Sequence, residues 1–351
     1  MLAATAALCS SVLLVACAGS TGSPATSTDR DGGATSAGDG GSLTGDGGSP
    51  AGDASVNVCQ PGAYTETLPT PTASIADLVS SYAPPAYQDF VLKILERRYP
   101  LGKSLVTRGL ANTEQGNCIE RFTSDRSNAA AILRRLEVVV HECGHIADFA
   151  LSKSLGTNGY FIRDDLTFSC KSGDTTTRGG VTFARSRIRG DAYNASRPPC
   201  GGTVTKGCDS YANVYLDGNP DDAKFESGDQ GYNLLLEEAV QYVNSLATGY
   251  AFEDQLKTTI VSNRDGILTL LWYLERYIKL ARETYPAAYK LISEDPCWRH
   301  GTLTVWARAQ FYLEKTKGST SLGIDDEAIE ALVNAPELLK EIETLRQLDC
   351  K

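Results

Sequence analysis

Residues Leu136–Ala150 read LEVVVHECGHIADFA, and this stretch decides which fold and which chemistry the chain can support. It is apolar enough for a buried helix, yet it holds two of the chain's three histidines, four residues apart. On a helix, residues at this spacing lie about 40° apart, so both imidazoles leave the same face. The stretch therefore predicts a buried helix that presents two histidines to one ligand.

The polar residues of this helix form the pattern H-E-x-x-H, with His141, Glu142 and His145. Two neutral imidazole nitrogens at this spacing can bind one Zn²⁺ at about 2.0–2.1 Å each. Glu142 lies about 60° around the helix from His145, beside the metal rather than among its ligands. That position suits a general base acting on a metal-activated water. The alternative is a pair of structural histidines.

A projection of the helix gathers its polar side chains onto one stripe. The members of this stripe are Arg134, Glu137, His141, His145 and Asp148. Cys143 falls on the opposite, apolar side, so we expect it to be a core thiol or a disulfide partner and not a ligand. Asp148 is expected either to hydrogen-bond a ligand imidazole or to form a salt bridge with Arg134 or a neighbouring segment. Gly144 predicts a close backbone approach, with a glycine that is simply tolerated inside the helix as the alternative.

A third ligand is needed, because a catalytic zinc usually takes three protein ligands and one water. The segment Asn233–Ala247, NLLLEEAVQYVNSLA, has the periodicity of a second buried helix. Glu237 and Glu238 lie at the two margins of its apolar face, and either carboxylate could reach the metal. An acidic pair near a helix N-terminus is also favoured by the helix dipole alone. The residues leave this choice open.

These two segments resemble the zincin metallopeptidases. HECGHIAD together with EEAVQY is similar to the gluzincin branch, and within it to the lethal-factor-like proteases, in which a glutamate on a later helix completes the zinc site. The long metzincin pattern does not fit, because Asp148 and Leu151 stand where that pattern has Gly and His. The resemblance implies a zincin-like catalytic domain, hydrolysis of a peptide or protein substrate, and Glu238 rather than Glu237 as the third ligand.

Groups that could stabilise a transition state carry a weaker signal. Tyr232 and Tyr242 flank the glutamate pair, and His300 is the remaining histidine. A tyrosine, histidine or arginine near the metal can bind a developing oxyanion, although each of these residues alone is typical of a structural role. The acidic stretch DGNPDD at 217–222 could bind Ca²⁺, but an ordinary acidic turn is the simpler interpretation.

The N-terminal region predicts export. Residues 2–16 form an apolar run that is too short to span a bilayer, and the run ends before Cys17 as in bacterial lipoprotein signals. An ordinary secretory signal is the alternative. Residues 17–58 are rich in Gly, Ser, Thr and Asp and predict a disordered linker. We therefore expect a signal peptide at 1–16, a lipid on Cys17 that attaches the protein to the membrane of a bacterial cell envelope, and a folded domain at 59–351.

The remaining sequence predicts a mainly α domain of the α+β class. Helical patterns cover 74–81, 86–99, a segment capped by Ser127 and ending at about Ser154, 233–249, 264–284, 302–316 and 325–348. Residues at about 155–231 predict a disulfide-containing insertion of loops and strands, with GVTFARSRI at 180–188 as one strand-like piece.

The cysteine count and the net charge indicate the cellular environment and the kind of partner. Eight cysteines follow Cys17, and an even number in an exported chain predicts disulfides, with Cys200–Cys208 as the simplest pair. Acidic residues outnumber basic ones by 43 to 33, for a net charge of −10. This balance, without a basic patch, argues against a nucleic-acid partner.

Overall fold

The computed structural model describes residues 57–171, 183–216, 230–256 and 260–350. Within these ranges the chain is mostly helical and has one two-stranded antiparallel sheet, so the predicted mainly α composition is confirmed. The helices are α1 (Ala76–Ser80), α2 (Tyr87–Arg98), α3 (Pro100–Ala111), α4 (Cys118–Phe122), α5 (Ala129–Leu133), α6 (Leu136–Leu155), α7 (Ala212–Tyr215), α8 (Tyr232–Leu256), α9 (Asn263–Thr284), α10 (Pro286–Glu294), α11 (Pro296–Lys315), α12 (Asp326–Val333) and α13 (Pro336–Asp349). The strands are β1 (Asn158–Arg163) and β2 (Leu166–Cys170).

Helix α6 carries the H-E-x-x-H pattern and makes its most extensive contacts with α3 and α8. Two glycines allow these helices to come close. A Cβ atom on Gly109 of α3 would lie 2.5 Å from the backbone oxygen of Cys143. A Cβ atom on Gly144 would lie 1.9 Å from the side-chain oxygen of Gln241 on α8. The neighbour of Gly144 is therefore a side chain and not the backbone of another segment, so the predicted close backbone approach is wrong.

The start of α6 differs from the sequence prediction. Asn128, not Ser127, caps a helix here: its side chain accepts the Ala131 N–H at the beginning of the short helix α5. An asparagine in extended backbone is well placed for this role. A break at Arg134 and Arg135 then separates α5 from α6, so the prediction of one continuous helix from Ser127 is wrong. The predicted end near Ser154 agrees with the observed end at Leu155.

Prolines account for most of the other differences in helix boundaries. The predicted helix 325–348 is two helices, because Pro336 has no N–H to continue the first helix and instead begins α13. Pro100 and Pro286 likewise begin α3 and α10, which the sequence pattern did not reveal.

The insertion contains the only sheet among the described residues. Strands β1 and β2 form a hairpin with a register shift between Phe161 and Arg163, and it packs against α6 and α11. The strand predicted at 180–188 is wrong within its described part, because Arg185–Gly190 forms a 3₁₀ helix. Residues 180–182 of that prediction lie outside the described ranges.

Four disulfides cross-link the described domain, and Cys143 is a disulfide partner as one of the two alternatives predicted. The pairs are Cys59–Cys350, Cys118–Cys143, Cys170–Cys297 and the predicted Cys200–Cys208. Two of them involve the insertion: Cys200–Cys208 lies within it, and Cys170–Cys297 links it to α11. Four disulfides suggest an oxidising, exported environment.

Several predictions concern residues that the structure does not describe. The signal segment 1–16, Cys17, the linker up to residue 56 and the acidic stretch 217–222 all lie outside the described ranges. Among the residues that are described, none of the helices combines the length and the apolar character that a bilayer crossing requires.

Candidate metal centre

Two helices bring three metal-ligating side chains together. His141 and His145 come from α6, and Glu238 comes from the first turns of α8. The two imidazole Nε2 atoms lie 3.0 Å apart, and the Glu238 Oε2 atom lies 3.7 Å and 3.6 Å from them. In the described part of the chain this is the one group of three His, Cys, Asp or Glu side chains whose ligand atoms converge in this way.

The spacing of these three atoms fits a metal ion. The circle through them has a radius of about 2.0 Å, which is close to the zinc–nitrogen and zinc–oxygen bond lengths of about 2.0–2.2 Å. Glu238 Oε2 is buried and has no hydrogen-bond partner among the described residues. A buried carboxylate oxygen without a partner is costly, and a cation would satisfy it. Two imidazoles and one carboxylate suit a divalent cation such as Zn²⁺.

Hydrogen bonds at the far edge of each imidazole orient the two rings. The Nδ1 atom of His145 lies 2.6 Å and 2.9 Å from the two carboxylate oxygens of Glu237. The Nδ1 atom of His141 lies 3.0 Å from the hydroxyl of Ser245. With Nδ1–H donating on each ring, each Nε2 lone pair faces the position between the ligands. The structure thus places Glu238 among the ligand atoms and Glu237 behind His145.

Burial and mutual charge perturb the titration of this group. Burial opposes a charge on His145, but the Glu237 and Glu238 carboxylates outweigh it and raise the pKa of His145 well above its usual value. Burial and the charge on His145 hold the pKa of His141 well below its usual value. Burial also raises the pKa of Glu238 to about 7. A proton and a metal ion would therefore compete for these three side chains.

Glu142 lies beside the ligands on α6 and is half-buried. Burial raises the pKa of its carboxyl group, opposed by the charge on His145 and reinforced by that on Glu237. A carboxylate whose pKa has moved toward neutral is a better proton acceptor and donor near neutral pH. Its environment is consistent with the role that the sequence pattern predicts.

Aromatic and basic groups from α8 and the insertion surround the ligands. The rings of Tyr242 and His141 pack edge to face with their centroids 4.9 Å apart. The Tyr242 hydroxyl lies 2.9 Å from the Tyr215 hydroxyl. The guanidinium carbon of Arg185 lies 5.3 Å from the centre of the Tyr215 ring. Its positive charge acts on Glu238, whose pKa it lowers against the effect of burial. The sequence named Tyr242 but not Tyr215 and Arg185, because the short helical segments of the insertion that carry them have no periodicity relating them to α8.

The other two predicted helpers contact different parts of the domain. The hydroxyl of Tyr232 lies 2.7 Å from that of Thr302, and its ring packs against Trp298. His300 pairs with Asp349, with 2.8 Å between Nδ1 and the carboxylate. These contacts are of the kind that stabilises helix packing.

Asp148 contacts neighbouring segments, as one prediction allowed, but through neutral donors and not through a salt bridge. Its carboxylate accepts the backbone N–H of Phe161 at 2.7 Å and the side-chain amide of Gln241 at 2.9 Å. The same amide nitrogen also donates to Glu237 at 3.0 Å. Asp148 therefore acts on His145 indirectly, through Gln241 and Glu237.

Comparison of the chain with protein-family models, with curated proteins and with solved structures gave no match. What the site can do is therefore inferred from its own geometry. It offers two oriented imidazoles, a converging carboxylate without a hydrogen-bond partner among the described residues, and a neighbouring carboxylate able to exchange a proton.

Proposed function

We propose that the protein is a zinc-dependent peptidase of the zincin type, with His141, His145 and Glu238 as metal ligands and Glu142 as general base. The observation that carries this proposal is the triangle of ligand atoms, whose circle of about 2.0 Å radius matches zinc bond lengths, beside the carboxylate of Glu142. A glutamate on a later helix as the third ligand is also the gluzincin pattern that the sequence resembles.

The side chains around this site have the properties that peptide hydrolysis requires. When bound, zinc would lower the pKa of its water toward about 7 and polarise the substrate carbonyl. Glu142 would accept a proton as the water attacks and would pass it to the leaving amine. The charge of Glu238 acts on the Tyr215 hydroxyl, and the Arg185 guanidinium acts on Glu238, so both groups would lie close enough to the site to stabilise negative charge on the carbonyl oxygen.

The test is the exchange Glu142→Gln in the full-length protein. It should lower the cleavage rate of a labelled unfolded protein by about 10²–10⁴-fold, because it removes the proton acceptor. It should leave one zinc per chain, measured by elemental mass spectrometry, because the ligands are untouched. Glu137→Gln is the matched control on the same helix, and it should retain activity. Equal cleavage by wild type and Glu142→Gln would contradict the assignment.

A second candidate function is a non-catalytic, surface-anchored binding protein whose metal is structural or whose site has lost activity. It is favoured by the low exposure of the ligand side chains, which is 10% for His141, 16% for His145 and 15% for Glu238. This alternative predicts a wild-type protein that retains tight zinc, cleaves no unfolded protein and is unaffected by Glu142→Gln.

We also propose that the protein is exported and held at the cell envelope by a lipid on Cys17. Support comes from the apolar run before Cys17 and from the four disulfides of the domain. Cys17→Ser should move the protein from the membrane fraction to the soluble fraction of cells that express it. Unchanged fractionation would contradict the lipid anchor.

A further inference from the structure

A buried amide lies directly behind the metal ligands. Gln241 is fully buried on α8, one turn after Glu237. Its amide nitrogen donates to Glu237 at 3.0 Å and to Asp148 at 2.9 Å, which uses both of its hydrogens. Its carbonyl oxygen accepts the amide of Asn244 at 3.0 Å. Each polar atom of the Gln241 amide therefore has a defined partner.

Space for this amide comes from Gly144, one of the two variable residues of H-E-x-x-H. A Cβ atom at that position would lie 1.9 Å from the Gln241 oxygen, a distance at which the amide would have to move. The absence of a side chain on α6 thus lets the Gln241 side chain lie between the two helices that supply the ligands.

The far side of Gln241 is fixed by a buried ion pair. Asn244 accepts a hydrogen bond from Arg308 on α11 at 2.8 Å. Arg308 in turn pairs with Glu66 at 2.8 Å, and the two side chains are only 1% and 2% exposed. A continuous chain of hydrogen bonds therefore runs from the N-terminal part of the domain to Glu237.

We propose that Gln241 is a positioning residue for the metal site, and this proposal rests on the metal site of the proposed function. Glu237 orients His145 through a hydrogen bond to Nδ1, but the Glu237 carboxylate can rotate unless it has a further partner. Gln241 is that partner, and hydrogen bonds to Asn244 and Asp148 fix the Gln241 amide in turn. The His145 ring is thereby aimed with its Nε2 atom toward His141 and Glu238. Loss of a partner that contacts a metal ligand typically costs about 10–100-fold in metal affinity, and because Gln241 acts through Glu237 we expect the lower end of that range.

The first test replaces Gln241 by methionine, which has a similar length but cannot form these hydrogen bonds. In the full-length protein, Gln241→Met should weaken Zn²⁺ binding by about 10-fold in competition with a chelating dye. It should also shift the visible absorption of bound Co²⁺, because the His145 ring is no longer fixed. The control is Thr123→Val directly after α4, which removes a buried hydrogen bond to the backbone oxygen of Ile119 and should change neither measurement.

A second variant reaches the same amide without removing any polar group. Gly144→Ala places a methyl group where the Gln241 oxygen lies, while alanine is the better helix former. It should therefore weaken Zn²⁺ binding to a similar extent without preventing folding. In a Gln241→Ala background, where the obstructed amide is absent, adding Gly144→Ala should cause no further loss. This variant decides the matter if Gln241→Met does not fold.

Each outcome separates this proposal from the proposed activity. If Gly144→Ala and a folded Gln241→Met both bind Zn²⁺ within about twofold of wild type and keep its Co²⁺ spectrum, Gln241 has only a packing role and the proposal is wrong. A wild-type protein that binds Zn²⁺ but cleaves no peptide would overturn the peptidase assignment and leave the positioning role intact. A wild-type protein that binds no Zn²⁺ would overturn both.

Discussion

Exchanging Glu237 and Glu238 one at a time for alanine should distinguish the carboxylate that binds the metal from the carboxylate that orients His145. Glu238 Oε2 lies 3.7 Å and 3.6 Å from the two Nε2 atoms, whereas Glu237 contacts the opposite edge of His145 at 2.6 Å. Glu238→Ala removes one of three metal bonds. Glu237→Ala keeps all three and removes only the orienting carboxylate, which costs about 10–100-fold in affinity. That loss corresponds to about 1.4–2.7 kcal/mol.

The loss of zinc affinity should be measurable as a smaller zinc-induced rise in Tm. Zinc at about 100 times the wild-type Kd stabilises the fold by about 2.7 kcal/mol. For a domain of about 300 residues the unfolding entropy is about 0.6 kcal/mol/K, so each kcal/mol raises Tm by roughly 1.6 °C and wild type should shift by about 4 °C. At the same zinc concentration, a 10–100-fold weaker Kd leaves roughly 1.4–0.4 kcal/mol. Glu237→Ala should therefore shift by about 1–2 °C, and Glu238→Ala by almost nothing.

The assay is thermal unfolding of each protein with and without zinc at that one concentration. The difference between the two scans is the measured quantity, because removing a buried carboxylate also changes the Tm of the metal-free protein. Glu253→Ala, elsewhere on α8, serves as the control and should keep the full zinc shift. A full shift in Glu238→Ala with none in Glu237→Ala would reverse the ligand assignment, and full shifts in both would refute the site.

Three further predictions concern stability, each measured by urea unfolding. Burial raises the pKa of Glu275 from 4.5 to about 10, so the stability that its protonated form contributes is present below pH 4.5 and is lost as the pH rises toward 10. Relative to Glu275→Gln, the free energy of unfolding of wild type should fall by about 2–3 kcal/mol between pH 6 and pH 8, and parallel pH profiles of the two proteins would contradict this. Replacing Cys118 and Cys143 together by alanine opens a loop of 25 residues and should cost about 3–4 kcal/mol, with no loss expected if the disulfide does not form. Arg308→Met leaves Glu66 buried without its cation and should cost about 3–5 kcal/mol, of which Glu66→Gln in the same chain should restore a part.

The parts of the site that could be predicted from sequence are those that one helix determines by itself. The spacing of His141, Glu142 and His145 fixes their relative directions on α6 before any tertiary contact is known. The same periodicity identified α8 as the second buried helix. It could not choose between Glu237 and Glu238, because neighbouring residues lie about 100° apart and both were at margins of the apolar face. The choice depends on how α8 is rotated against α6, which is a tertiary property.

Contacts between distant segments were beyond the sequence pattern for a similar reason. Ser245, which orients His141, is one of several polar residues on α8 and carries no local mark. Tyr215 and Arg185 come from an insertion without periodicity. Of the four disulfides, only Cys200–Cys208 was anticipated, because short loops are the one case in which spacing restricts the pairing.

The two variable positions of H-E-x-x-H show how packing specifies this site. Cys143 points to the side of α3 and α4, where it is cross-linked to Cys118 and lies against Gly109. Gly144 faces α8 and leaves room for the amide of Gln241. Cys143 thus holds the side of α6 that faces α3 and α4, and Gly144 leaves space on the side that faces α8. Because a helix held on both sides cannot rotate, the directions of its two histidines are set by residues that do not themselves bind metal.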